Sequence, residues 1–145
     1  MHEVQEGLSL VEEVDALLGE DDGWLPQLGN AAAALFHRLG DINWVGFYLR
    51  KGEELLLGPF QGKPACVRIA MGRGVCGTAA LKKEILRVSN VHEFPGHIAC
   101  DTASNSELVI PIMPQGEVVG VLDVDSPLFQ RFGVEEEREL AAVVQ

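Results

Sequence analysis

The residues of this chain best suited to chemistry are three cysteines, Cys66, Cys76 and Cys100, and three carboxylates further along, Glu107, Asp123 and Asp125. A thiolate is a strong nucleophile that can pass through a sulfenic acid to a disulfide, so a cysteine in an irregular segment is a candidate for redox catalysis. Cys100 lies in Pro95-Gly96-His97-Ile98-Ala99-Cys100-Asp101, which has neither helical nor strand periodicity and offers His97 to favour the thiolate. Cys76 falls in Gly72-Arg73-Gly74-Val75-Cys76-Gly77, where the start of a helix would help it ionise; a buried core thiol explains it equally well.

The carboxylates gain meaning from strand register. Pro114-Gln115-Gly116 separates two strand-like runs; Leu108, Ile110 and Ile112 share one face of the first, and Val118, Gly120, Leu122 and Val124 one face of the second. Pairing Met113 with Glu117 brings those faces together, sets Glu107 opposite Asp123 and leaves Asp125 two residues further along the same side. A one-residue slip would bury Glu107 unpaired beside Leu122. Like charges gathered this way raise the pKa of at least one of them, which then keeps a proton near neutral pH, or they prepare a site for a cation. A substrate ammonium suits such a site, whereas Leu122-Asp123-Val124-Asp125-Ser126-Pro127 lacks the loop pattern of an EF-hand. The plain alternative is a solvated acidic face.

Zinc is a rival use for the thiols, with His92, His97 and Cys100 close in sequence and Cys66 or Cys76 as a fourth ligand. The absence of any Cys-x-x-Cys pair argues against it, so no metal and no bound cofactor is expected. Trp44 and Tyr48, four residues apart on a strand, share a face and could wall a pocket or simply pack in a core.

The elements that must position these groups follow from periodicity. Ser9 and Glu12 have capping-box spacing ahead of Leu10, Val11, Val14, Leu17 and Leu18, and a second helical pattern runs through Leu25, Leu28, Ala32, Leu35, Phe36 and Leu39 to Gly40. His37 falls on the outer side of that helix. Strand-like runs follow at 44–49, 54–57, 66–70, 85–88, 108–113 and 118–124, with a short helix at about 75–83 and a final helix after Gly133. Helices at the ends and strands between them predict an α+β fold, an antiparallel sheet carrying helices on one face. Gly72 to Gly77 formally matches G-x-G-x-x-G, but no parallel strand–helix–strand unit surrounds it and the next strand ends at Ser89-Asn90, so a tight strand-to-helix turn explains the glycines better than a dinucleotide.

With 145 residues, 47% of them apolar, the chain is expected to form one domain, residues 1–145, without a structural staple. Eleven basic against 22 acidic residues, a net charge of -11, argue against nucleic acid, since phosphates would be repelled. No apolar run approaches a membrane span and Met1-His2-Glu3-Val4 lacks the basic start of a signal peptide, so a cytoplasmic protein without membrane attachment is expected. An odd number of cysteines in that compartment points to core, metal-binding or redox thiols rather than a disulfide framework.

Taken together, Trp44-Val45-Gly46-Phe47-Tyr48, the segment from Leu57 to Cys66, Gly72 to Gly77, His92, Phe94 to Asp101, Ser104, Ser106-Glu107 and Gly120 to Pro127 resemble the pattern of the free methionine-(R)-sulfoxide reductase family. The resemblance covers about residues 41–127. It implies a single GAF domain with a six-stranded antiparallel sheet, and a closed pocket for free methionine-(R)-sulfoxide. It further implies Cys100 as the thiol that attacks the substrate sulfur, Cys66 as the resolving thiol, and Cys76 as a third cysteine of less certain part. Glu107, Asp123 and Asp125 correspond to acidic substrate-binding and catalytic residues, and Trp44 and Tyr48 to pocket walls. A thioredoxin-like dithiol would restore the enzyme, and a homodimer is compatible with the sequence. Two positions depart from the pattern: Asn90 stands where the family often has Asp, and Gln145 falls within the expected last helix. The competing reading from another class is a noncatalytic GAF module that senses a small molecule.

Overall fold

The computed structural model describes residues 23–96 and 104–144. The helical periodicity that begins at Leu25 forms α1 (Trp24–Arg38), which closes with Leu39 N–H donating to the Leu35 carbonyl. Ala31, Ala32, Ala34 and Leu35 are buried, so small side chains let the helix lie close against the sheet, while His37 is exposed as expected. The helix expected from Ser9 to Gly19 lies outside the described residues.

Six strands follow: β1 (Trp44–Lys51), β2 (Glu54–Gly62), β3 (Arg68–Ala70), β4 (Leu86–Val88), β5 (Ser106–Ile112) and β6 (Gly120–Ser126), in the sheet order β3-β2-β1-β6-β5-β4. Every neighbouring pair is antiparallel. Two further helices are α2 (Gly74–Lys82) and α3 (Val134–Val143). The sheet and helices make the expected α+β fold. α1 and α3 share one face, where Ala32, Leu35 and Leu140 pack on Val45, Phe47, Leu108, Ile110, Leu122 and Val124. The helices are not all on that face: α2 lies on the other, its Val75, Cys76, Ala79 and Ala80 packed with Trp44, Tyr48, Val109 and Val121. Both faces of the central strands are therefore covered, which is why even the odd-numbered, polar side of β5 and β6 is buried. Among the described residues no helix is long and apolar enough to cross a membrane.

The β5–β6 pairing differs from the expected one by two residues. Ile112 pairs with Gly120, so Glu107 stands opposite Asp125 and Val109 opposite Asp123. A shift of two keeps every side chain on its expected face, so the alternation that fixed the face could not fix the offset. The offset shows at the hairpin end: Val119 N–H donates to the Ile112 carbonyl while the Val119 carbonyl accepts from Arg50 N–H of β1, holding 113–119 as the connection.

β3 is also shorter than expected, starting at Arg68 and leaving Cys66 in an irregular stretch ahead of it. Its ladder to β2 ends near Leu57, where β2 bulges against β1 and Pro59 has no N–H to donate. The Gly72–Gly77 segment is the strand-to-helix turn expected: Gly72 and Gly74 have φ of 86° and 63°, and Gly72 N–H donates to the Gly77 carbonyl at 2.8 Å. A Cβ on Gly77 would stand 2.4 Å from the Ala70 carbonyl oxygen, so the helix can start this close to β3 only without one.

Candidate active site

β1, β5 and β6 lie side by side at the centre of the sheet and present one row of polar groups toward α2. Trp44 pairs with Asp125, which pairs with Glu107; Gly46 pairs with Asp123, which pairs with Val109. The strand alternation thus delivers Trp44, Tyr48, Glu107, Asp123 and Asp125 to one cavity of about 50 Å³, closed on the opposite side by Gly74, Val75 and Cys76 of α2. The three acids share one face as the alternation predicts, with Glu107 opposite Asp125 rather than Asp123.

Gly46 makes room for the aromatic wall. A Cβ there would lie 2.7 Å from Trp44 Cη2 and 2.3 Å from the Phe60 Cβ, so the Trp44 ring lies over a bare backbone. Trp44 stacks between Phe60 and Tyr48 with ring centroids 5.3 and 5.9 Å apart. Both walls also carry a polar tip: Trp44 Nε1 donates to the Lys63 carbonyl at 3.0 Å, and the Tyr48 hydroxyl donates to the Cys66 carbonyl at 2.9 Å. These two bonds tie the irregular segment before β3 to the cavity wall. Phe60 and Asn43 were not singled out from sequence; Phe60 sits beyond the bulge, and Asn43 reaches Ser104 at the cavity rim through a 3.0 Å hydrogen bond from Nδ2 to Oγ.

Glu107 and Asp123 are buried. Burial, before all else, pushes the Asp123 carboxyl well above the usual carboxylate range, helped by the charges of Asp125 and Glu107 and by hydrogen bonds with both. Asp123 Oδ1 is shielded from solvent and has no hydrogen-bond partner among the described residues. Burial likewise pushes up the Tyr48 hydroxyl, which stays a donor. The arrangement can hold a cation against carboxylates and can keep a proton on one of them.

The GAF domain family matches residues 25–144 of the chain. The free methionine-R-sulfoxide reductase of Escherichia coli (strain K12) is 51% identical over 135 residues, 93% of this chain and 82% of that protein. The chain belongs to the free methionine-R-sulfoxide reductase family. Solved structures agree. The free methionine-R-sulfoxide reductase of Neisseria meningitidis in complex with its substrate has a TM-score of 0.93 at 36% identity, covering 99% of this chain and 92% of that one. The Staphylococcus aureus fRMsr in complex with substrate has a TM-score of 0.88 at 45% identity, covering 93% and 88%.

In this member of the free methionine-R-sulfoxide reductase family the cysteines are not equivalent. Cys66 is disulfide-bonded, and Cys76 is a free, buried thiol whose Sγ lies 3.8 Å from Glu107 Oε2. Of the two readings of Cys76, a thiol helped to ionise by a helix start and a buried core thiol, its burial favours the second. Burial pushes its thiol well above the ordinary range, and the charges of Asp123, Glu107 and Asp125 push the same way, outweighing the dipole of one short helix. Cys100 and His97 lie outside the described residues. His92, considered as a zinc ligand, has its Nε2 2.8 Å from Asn105 Oδ1, and Asn90 caps the turn Val91–Glu93 by accepting from His92 N–H at 3.0 Å. Asn90, where the family often has Asp, thus caps this turn with its side chain.

Proposed function

We propose that the chain reduces free methionine-(R)-sulfoxide to methionine with its own thiols, as an oxidoreductase restored by a thioredoxin-like dithiol. The observation that carries this reading is the cavity in which Glu107, Asp123 and Asp125 face the N-terminus of α2 beneath the stacked Trp44 and Tyr48 rings. A free amino acid is a zwitterion and needs two complementary ends. The carboxylates suit its ammonium, while Arg73, Gly74 and Val75, which line the cavity at the start of α2, suit its carboxylate as a positively charged residue beside a helix N-terminus. The aromatic rings suit the methyl and methylene groups between them.

In this reading the Cys100 thiol attacks the sulfoxide sulfur. An S–S bond forms to the substrate sulfur as its oxygen leaves as water; water then attacks the Cys100 sulfur and breaks that S–S bond, releasing methionine and leaving a sulfenic acid on Cys100. The oxygen must be protonated as its bond to the substrate sulfur fails, and Asp123, kept protonated by burial and by its neighbours, is the carboxyl equipped to do so. Glu107 and Asp125, paired with each other across the strands beside it, orient the substrate and share the proton. Cys66 then attacks the sulfenic sulfur, water leaves and a disulfide forms, which an external dithiol reduces by exchange. That Cys66 is disulfide-bonded while Cys76 is a free thiol supports this choice of resolving residue.

The test is to give the purified protein each methionine sulfoxide epimer with a dithiol and to measure methionine released. Turnover of the free R epimer alone is expected. Full activity in Cys100→Ser, or equal turnover of sulfoxide within a protein, sinks the reading, and a noncatalytic sensor would bind a ligand without releasing methionine.

A further inference from the structure

The mechanism above leaves one buried nucleophilic group without a part. Cys76 points its sulfur at the acidic groups: Sγ and one oxygen each of Glu107 and Asp123 lie within 4.8 Å of one another, with Sγ to Glu107 Oε2 at 3.8 Å. In a tetrahedral zinc site, bonds of about 2.3 Å to sulfur and about 2.0 Å to oxygen put the two donors roughly 3.5 Å apart, so the spacing is close to that of a coordination shell. All three side chains are buried, and neither Glu107 nor Asp123 has a Lys or Arg partner among the described residues. Asp123 Oδ1, without solvent or a hydrogen-bond partner there, is a second and independent mark of a missing ligand.

We propose that Cys76, Glu107 and Asp123 form a three-ligand site for a thiophilic divalent cation of the zinc type, reached through the cavity and occupied in competition with the substrate. The thiol decides the kind of ion. Calcium and magnesium take sets of six or more oxygens, whereas one thiolate with two carboxylates is a donor set for zinc, cadmium or cobalt, with the fourth position open toward the cavity. Two positive charges also relieve the crowding of buried acids that a lone ammonium relieves only in part. The competition rests on the substrate reading given above, because both ligands use Glu107 and Asp123; binding of the ion does not.

Cobalt(II) is the probe, since a thiolate ligand gives it a charge-transfer band, and the Cys66→Ser/Cys100→Ser protein leaves Cys76 as the sole thiol. One equivalent of cobalt should bind with that band and be displaced by zinc. Cys76→Ser in the same background should abolish the band, and Asp123→Asn or Glu107→Gln should weaken binding at least tenfold while the circular dichroism spectrum is kept. No band, or a band indifferent to both carboxyl substitutions, overturns the site. In the same protein, excess methionine-(R)-sulfoxide should bleach the band. A cobalt band that persists at saturating sulfoxide overturns the competition alone, and failure of the sulfoxide to bind at all counts against the substrate reading instead.

Discussion

The Tyr48 hydroxyl donates to the carbonyl of Cys66 at 2.9 Å, so a residue of the cavity wall fixes the backbone of the cysteine assigned to resolve the sulfenic acid. Recognition and resolution are thereby linked through one side chain. Tyr48→Phe keeps the ring and loses the bond, worth about 1 kcal/mol. Methionine released in the first turnover should be unchanged, while the steady-state rate under a thioredoxin-like donor falls several-fold. Equal steady-state rates would show that Cys66 needs no such anchor.

Asp123 carries a pH signature. Its folded pKa is raised, so its favourable contribution is complete below the unfolded value of about 3.9 and is lost as pH rises through the folded value. Asp123→Asn should therefore be more stable than the parent by about 1–2 kcal/mol near pH 8, with the advantage shrinking toward pH 4, as read by urea denaturation across that range. Turnover should fall roughly 100-fold, the usual loss of a general acid. A stability gain that did not grow with pH would remove the proton from Asp123.

Gly46 offers a steric test. A Cβ there meets both Trp44 and Phe60, and the nearest atoms are the Phe60 Cβ and Cα and a Trp44 ring carbon rather than flexible chain ends. Gly46→Ala should cost about 1–3 kcal/mol and tilt the Trp44 ring. Its KM should rise more than its kcat falls, because the wall holds the substrate and does no chemistry. Tryptophan fluorescence would report the displacement.

Cys76 should not stand in for Cys66. Its buried thiol is held protonated well past the ordinary range, so at pH 8 it is a poor nucleophile. Cys66→Ser and Cys66→Ser/Cys76→Ser should recycle equally poorly after one turnover. In the folded protein, iodoacetamide should label Cys76 far more slowly than in urea, and the rate should still be climbing above pH 9.

Much of this was written in alternation and periodicity. The spacing of the apolar residues from Leu25 to Leu39 defines α1, and alternation alone puts the odd-numbered carboxylates of β5 and β6 on one face. It does not choose their partners, because a shift of two residues conserves the face, and only the bonds of Val119 to Ile112 and Arg50 choose between the registers. The sequence leaves the ionisation of Cys76 open for a related reason: a position in a helix is local, whereas the desolvation that rules its thiol comes from α2 lying on the sheet. Nor could spacing reveal that Trp44 and Tyr48 reach across to residues 63 and 66, since those contacts depend on where the chain turns after the β2 bulge. The chemistry assigned to Cys100 still rests on its sequence context and family.

The acids of the site stand in the ladder of β5 and β6, with β6 inside the six-stranded order, and not on the loops around it. Their spacing is therefore tied to ladder hydrogen bonds at the centre of the sheet, the kind that open last in a folded domain. Amide exchange at Val109, Val124 and Asp123 should be among the slowest in the molecule, while the segment before β3 exchanges early. On the function proposed above, thermal softening would cost the protein its ability to recycle before its grip on an amino acid, and a partly melted population would behave as a binder that has ceased to be a catalyst.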